Sequence, residues 1–196
     1  MMWRVPHPAA RRPRRDALRN RERVLDAATE LVRRDGEKVP MAQIAEHAGV
    51  GIGTVYRHFP TREDLLGALV HRSFGIAVSN ARAASAHPGS ALDGVRLFFL
   101  ATLRDRAQFV LPLHGGPPVF TRETRERQAD VRAALRTLID RGQAAGELRT
   151  DLNPEDLIVA ASLLSRPLPA IRDWDGLARR QIDLMIHGLG PSRPSR

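Results

Sequence analysis

At 196 residues, 42% of them hydrophobic, the chain is long enough for one large or two small domains with a proper core. It has a net charge of +9 and no cysteine, which excludes disulfide scaffolding, thiolate catalysis and cysteine-ligated zinc. No run approaches the roughly 18 uninterrupted apolar residues of a membrane span, and Met1 to Pro8 lacks the apolar stretch of a signal peptide, so a cytoplasmic protein with no membrane partner is expected.

The positive surplus is concentrated at the start. Residues 1–23 hold Arg4, Arg11, Arg12, Arg14, Arg15, Arg19, Arg21 and Arg23 against only Asp16 and Glu22. Two readings fit. One is a solvated tail. The other is a flexible basic arm over residues 1–15 whose Arg11, Arg12, Arg14 and Arg15 neutralise phosphates or enter a minor groove. A first helix is expected from about Asp16 to Arg34, with Val24, Leu25, Ala28, Leu31 and Val32 as its apolar stripe and Asp35-Gly36 as its stop.

The next stretch reads as two short helices joined by a tight turn. Pro40 opens the first, where a missing N–H costs nothing. Met41, Ile44, Ala45 and Ala48 fall at i, i+3, i+4 and i+7, one apolar face. Gly49 follows, where a helix end needs the positive φ that glycine reaches cheaply. Val50 is placed to plug the corner, and Val55 and Phe59, four apart, point back at the first helix. Pro60 ends the second helix, while Thr61 with Glu63 and Asp64 caps the next. The opposite face of the second helix carries Ile52, Thr54, Arg57 and His58, with Tyr56 at its edge and Arg62 just beyond. A helix-turn-helix presents its second helix to the major groove in this way. Arginine can pair with guanine and a threonine methyl can meet thymine, while tyrosine, histidine and arginine can hold phosphates.

The run Gly-Val-Gly-Ile-Gly-Thr-Val-Tyr-Arg-His-Phe-Pro-Thr-Arg-Glu-Asp-Leu-Leu, residues 49–66, resembles the DNA-binding signature of the TetR family of bacterial transcriptional regulators. Arg21-Glu22-Arg23-Val24-Leu25-Asp26-Ala27-Ala28 extends the resemblance upstream as that family's first helix, so it covers about residues 16–75 and fades after about Ala86. Pro40 departs from the pattern, which often has a capping Thr or Ser there whose hydroxyl also reaches a phosphate. The resemblance implies a DNA-binding surface of Gly51, Ile52, Gly53, Thr54, Tyr56, Arg57, His58 and Arg62, joined by the basic arm.

Beyond this point the chain stays helical. A long helix is expected from Arg62, with Leu65, Leu66, Leu69, Val70, Phe74, Ala77 and Val78 in period until His87-Pro88-Gly89. Ser90 and Asp93 start a helix so apolar all round, through Phe98, Phe99 and Leu103, that it belongs in the middle of the second domain. Phe109 to Phe120 breaks helical rules yet is rich in apolar residues, as a loop lining or lidding a cavity would be. A helix over about Arg122 to Gln143 follows, with Val131, Leu135, Leu138 and Ile139 inward. Asn153-Pro154-Glu155-Asp156 is a strong helix start, and a last helix runs from about Asp175 to His187. No strand pattern and no repeat is evident.

His114-Gly115-Gly116 resembles the oxyanion loop of lipase-type hydrolases, but the chain has no Gly-x-Ser-x-Gly nucleophile turn and no sheet to carry one. The seven histidines form no His-x-x-x-His or Glu-x-x-His pair, so no metal site is expected. No cofactor and no enzyme activity follow from these residues. Phe74, Phe98, Phe99, Leu103, Phe109, Leu113, His114, Phe120 and Leu135 each read first as ordinary core. With the proline-broken loop, they also suit the wall of an effector pocket.

The expectation is an all-α chain of four parts: the arm (1–15), a three-helix DNA-binding head (16–60), a helical effector-binding and dimerisation domain (61–190) and a tail (191–196). By the resemblance, it is a homodimeric repressor, released from a pseudo-palindromic double-stranded operator by a small-molecule effector. The alternative is a DNA-binding regulator without an effector, controlled by a partner protein or by abundance. The resemblance assigns dimerisation to the last two helices, where Leu157, Ala160, Ala161 and Leu164, with Ile182 and Met185, form the expected interface. The competing reading has the chain itself covering both faces of these helices.

Overall fold

A computed structural model describes residues 12–114, 116, 118 and 121–191, without the side chains of residues 12–15 and 114. Eight α-helices occur among the described residues and no strand, as the all-α reading expects. They are α1 (Arg12–Asp35), α2 (Met41–Ala48), α3 (Ile52–His58), α4 (Arg62–Ser85), α5 (Ala91–Asp105), α6 (Arg122–Ala144), α7 (Pro154–Leu164) and α8 (Trp174–Gly188). The chain divides into two compact units, Met1–Ala68 and Leu69–Arg196. The division therefore falls inside α4, beyond the expected boundary at Pro60.

In the first unit, α1 begins at Arg12, inside the segment expected to be a flexible arm. Pro13 does not prevent this, because the first turn of a helix has no intrahelical use for its N–H groups. Arg11, with the side chains of Arg12, Arg14 and Arg15, lies outside the described residues. The apolar stripe of α1 is buried as expected, through Val24, Leu25, Ala28, Leu31 and Val32.

Helix α2 buries Met41, Ile44, Ala45 and Ala48 and ends at Gly49, whose φ of 62° and ψ of 40° lie in the left-handed region. Two backbone bonds close this end, Val50 N to Ala45 O and Gly49 N to Glu46 O, both 3.0 Å. Together they satisfy carbonyls that the helix leaves open. Arg23 on α1 donates through Nη2 to the Gly49 carbonyl at 3.1 Å, which pins the turn to α1. A Cβ at Gly49 would lie 2.6 Å from that same Nη2. Gly49→Ala therefore combines left-handed strain of about 1–2 kcal/mol with displacement of Arg23. Urea denaturation should show a loss of at least that size, and an unchanged midpoint would contradict this account.

Thr61 and Asp64 cap α4 reciprocally: Thr61 N and Oγ1 donate to Asp64 Oδ2 at 3.0 and 2.7 Å, and Asp64 N donates to Thr61 Oγ1 at 3.1 Å.

The second unit is built around α5, which packs against α6, α7 and α8. Its Val95, Phe98 and Phe99 join Leu135, Leu138 and Ile139 of α6, Leu157 and Ala161 of α7, and Ala178 and Ile182 of α8 in one cluster. The helix starts are set locally, by Ser90 accepting from Asp93 N, by a capping box between Asn153 and Asp156, and by Asp173 accepting from Gly176 N. Asn80 on α4 donates to Asp105 Oδ2 at 3.0 Å, and Arg104 grips the same carboxylate with two nitrogens. The hydrogen bond from Arg104 is the main cause that holds Asp105 below the usual carboxylate range.

Of the six residues of α7 and α8 expected at a dimer interface, three are turned inward. Leu157, Ala161 and Ile182 are buried in the cluster around α5, and Ala160, Leu164 and Met185 pack at its edge. The physical reason is α5 itself, which buries Val95, Phe98, Phe99 and Leu103 and needs cover from both helices. The residues left in water are Val159 (47% exposed), Leu163 (64%) and Leu184 (65%).

Candidate functional site

Helix α3 is held from behind and bare in front. Val55 is fully buried and Phe59 is 2% exposed, while Ile52 and Tyr56 stand 42% and 49% exposed on the other side with Arg57. An isoleucine and a tyrosine left in water on a seven-residue helix are not explained by the chain's own packing. Thr54 and His58 are half-buried at the flanks. Arg21 stacks its guanidinium 5.3 Å from the centre of the Phe59 ring, fixing the end of α3 to α1. Gly51 and Gly53 sit where an added Cβ would meet nothing within 4 Å, so internal packing does not require glycine at either position.

Arg62, expected among the phosphate contacts, is otherwise engaged. Its Nη1 donates to the carbonyls of Glu37, at 3.0 Å, and Val39. The connection between α1 and α2 leaves these carbonyls without helical partners, and the long arginine side chain reaches both.

The second unit contains a cavity of about 340 Å³. Its apolar wall comes from Phe74 and Ala77 of α4, Phe98 of α5, Val131 of α6 and Ile158, Val159 and Ala161 of α7, closed by Phe109, Leu111, Pro112 and Leu113 of the loop after α5. Thr102, Ser162, Gln128, Arg132 and Glu155 supply the polar part. The loop is anchored by Ser73, whose Oγ accepts from Val110 N at 2.9 Å and donates to Leu69 O. Gly116 belongs to this anchoring: its N–H donates to Leu111 O at 2.8 Å, and a Cβ there would lie 2.7 Å from the Val110 carbonyl carbon. Close backbone approach accounts for the glycine that resembled an oxyanion loop.

Of the residues expected to line a pocket, Phe74, Phe98, Phe109 and Leu113 surround this cavity. Phe99, Leu103 and Leu135 do not; each is no more than 2% exposed and packs in the core cluster, on the inward side of α5 and α6. Phe120 and the side chain of His114 lie outside the described residues. The sequence reading missed the whole contribution of α7, because a helix assigned to an interface was not also considered as a wall.

At the polar end, Arg132 Nε donates to Glu155 Oε1 at 2.9 Å, joining α6 to α7. Glu155 is held below the usual carboxylate range first by its own backbone N–H at the start of α7 and then by Arg132. Thr102, only 5% exposed, adds a hydroxyl to the cavity wall. No cluster of His, Cys, Asp and Glu that could hold a metal occurs among the described residues, and no helix is long and apolar enough to cross a membrane.

Comparison with known proteins adds three findings. Residues 24–69 match the profile "Bacterial regulatory proteins, tetR family", and residues 118–191 match "Transcriptional regulator SbtR-like, C-terminal domain". The structure is similar to a crystal structure of a TetR transcription regulatory protein from Mycobacterium vanbaalenii, at 30% identity and TM-score 0.63, over 91% of this chain and 99% of that one. It is also similar to a TetR transcriptional regulator from Streptomyces coelicolor, at 27% identity and TM-score 0.57, over 88% and 99%. An HTH-type transcriptional regulator of Staphylococcus aureus (strain USA300) is 37% identical over 68 residues. That match spans 34% of this chain and 37% of the relative, a little over a third of its length.

Proposed function

This chain belongs to the TetR family of bacterial regulatory proteins, and on that premise we propose that it is a homodimeric DNA-binding repressor, released from a pseudo-palindromic operator by a small-molecule effector. The observation that carries this reading is the bare face of α3, with Ile52, Tyr56 and Arg57 exposed on a helix anchored by Val55 and Phe59. Ile52 and Thr54 offer apolar contacts to thymine methyls and Arg57 a bidentate donor to guanine. Tyr56, His58 and the basic arm reach phosphates. Gly51 and Gly53, open above their Cα atoms, let the start of α3 approach the duplex closely. Arg62 supports the head from within and is not among the contacts proposed.

A second reading, a regulator with no small-molecule effector, is disfavoured by the cavity of about 340 Å³. Ligand sites occupy about 300–1,000 Å³.

Selection of bound DNA from a random pool by the full chain should enrich a pseudo-palindrome; enrichment of no sequence would overturn the proposal. In the same assay Arg57→Ala should relax preference at one base pair per half-site, by about 1–3 kcal/mol. Tyr56→Phe should weaken all sequences alike. An unchanged motif with Arg57→Ala removes Arg57 from base reading.

A further inference from the structure

We propose that the ligand of the second-unit cavity is a small amphipathic carboxylate, its chain among the phenylalanines and its head on Arg132 in place of Glu155. This inference rests on the reading of the cavity as an effector site and deepens it by naming the ligand's chemistry.

Size sets the first limit. At about 30 Å³ for each water of liquid volume, 340 Å³ corresponds to about a dozen non-hydrogen atoms. The wall sets the second. Phe74, Phe98, Phe109, Leu111 and Ile158 offer no hydrogen-bonding group to a ligand's body, so that body is hydrocarbon.

Arg132 sets the third. It spends only Nε on Glu155, and its two Nη groups have no hydrogen-bond partner among the described residues. A guanidinium presents its donors as a planar fork suited to a carboxylate. Glu155 can give up this partner, because the amide at the start of α7 stabilises its charge independently. Arg132 and Glu155 are the only charged side chains that line the cavity among the described residues. With Nε of Arg132 alone engaged by Glu155, its remaining donors favour an anionic head over an ammonium. Gln128, one turn before Arg132 on α6, adds a neutral amide beside the same opening. Thr102 adds one hydroxyl to the wall deeper inside.

The test is calorimetric titration of the full chain with octanoate, octan-1-ol and octylamine, which share one chain and differ in head group. Octanoate should bind at least about tenfold more tightly than octan-1-ol, with octylamine weakest. Arg132→Gln should erase the difference between octanoate and octan-1-ol while leaving the melting temperature of the free protein unchanged, since Arg132 is half-exposed. Ile158→Trp, which fills the cavity, should abolish binding of all three. Retained octanoate preference in Arg132→Gln, or preference for octylamine, overturns the head-group inference while the cavity reading stands. Failure of all three to bind overturns both. Octanoate that binds as expected but leaves operator affinity unchanged supports the ligand class and refutes the effector role.

Discussion

Leu163→Glu combined with Leu184→Glu should yield a folded monomer that no longer holds its operator. Both leucines are about two-thirds exposed, at 64% and 65%, on α7 and α8. A charge at such positions changes the stability of a lone protomer by no more than about 0.5 kcal/mol. In a two-fold interface each replacement occurs once on each protomer, so every added charge counts twice. One helix-turn-helix gives too few base contacts for a unique site, and coupling two of them accounts for a gain of about 10²–10⁴-fold in affinity. Loss of the dimer forfeits that factor. Leu157→Glu, on the inward face of the same α7, should behave differently: the side chain is 1% exposed, and a carboxylate there has no partner. That variant should lose helicity rather than only its partner. Sedimentation velocity and far-ultraviolet circular dichroism separate the two outcomes. Wild-type protein sedimenting as a monomer at micromolar concentration would refute the dimer.

Phe59→Ala is the second large effect. The ring is 2% exposed, takes a cation–π contact from Arg21, and follows α3 directly, its N–H donating to Val55 O at 2.8 Å. Truncating a buried phenylalanine costs about 3–5 kcal/mol, a large share of the roughly 5–15 kcal/mol that holds a typical domain together. The damage should be confined to one unit, since residues 1–68 and 69–196 form separate compact bodies. Hydrogen exchange should therefore lose protection in α1–α3 while α5–α8 keep theirs. DNA binding should fail with every sequence, unlike the selective loss expected of Arg57→Ala. Unchanged protection in α3 would mean that Phe59 does not anchor it.

The ends of the helices were readable from the chain alone because their causes are local. Gly49 in the left-handed region, Ser90 with Asp93, Thr61 with Asp64 and Asn153 with Asp156 each act within a few residues. The same holds for the buried faces of α1, α2 and α3, where one apolar stripe offers one choice. The start of α1 lies at Arg12, four residues before the expected Asp16, because the first turn of a helix tolerates Pro13.

Where a helix has two apolar faces, or a side chain two possible partners, local pattern is silent and tertiary structure decides. Helices α7 and α8 carry enough leucine and isoleucine for either side, and it is the demand of α5 for cover that turns Leu157, Ala161 and Ile182 inward and leaves Leu163 and Leu184 in water. Phe98 and Phe99 are neighbours in sequence, yet only Phe98 reaches the cavity, because consecutive residues on a helix point about 100° apart. The resemblance implies a DNA contact for Arg62, and only the folded connection between α1 and α2 puts two backbone carbonyls within its reach. The pairing of Arg132 with Glu155 spans 23 residues and two helices. Sequence alone determined a helical chain with a DNA-reading head; packing across the chain decided which face of each helix does the work, because burial is set by neighbours distant in sequence.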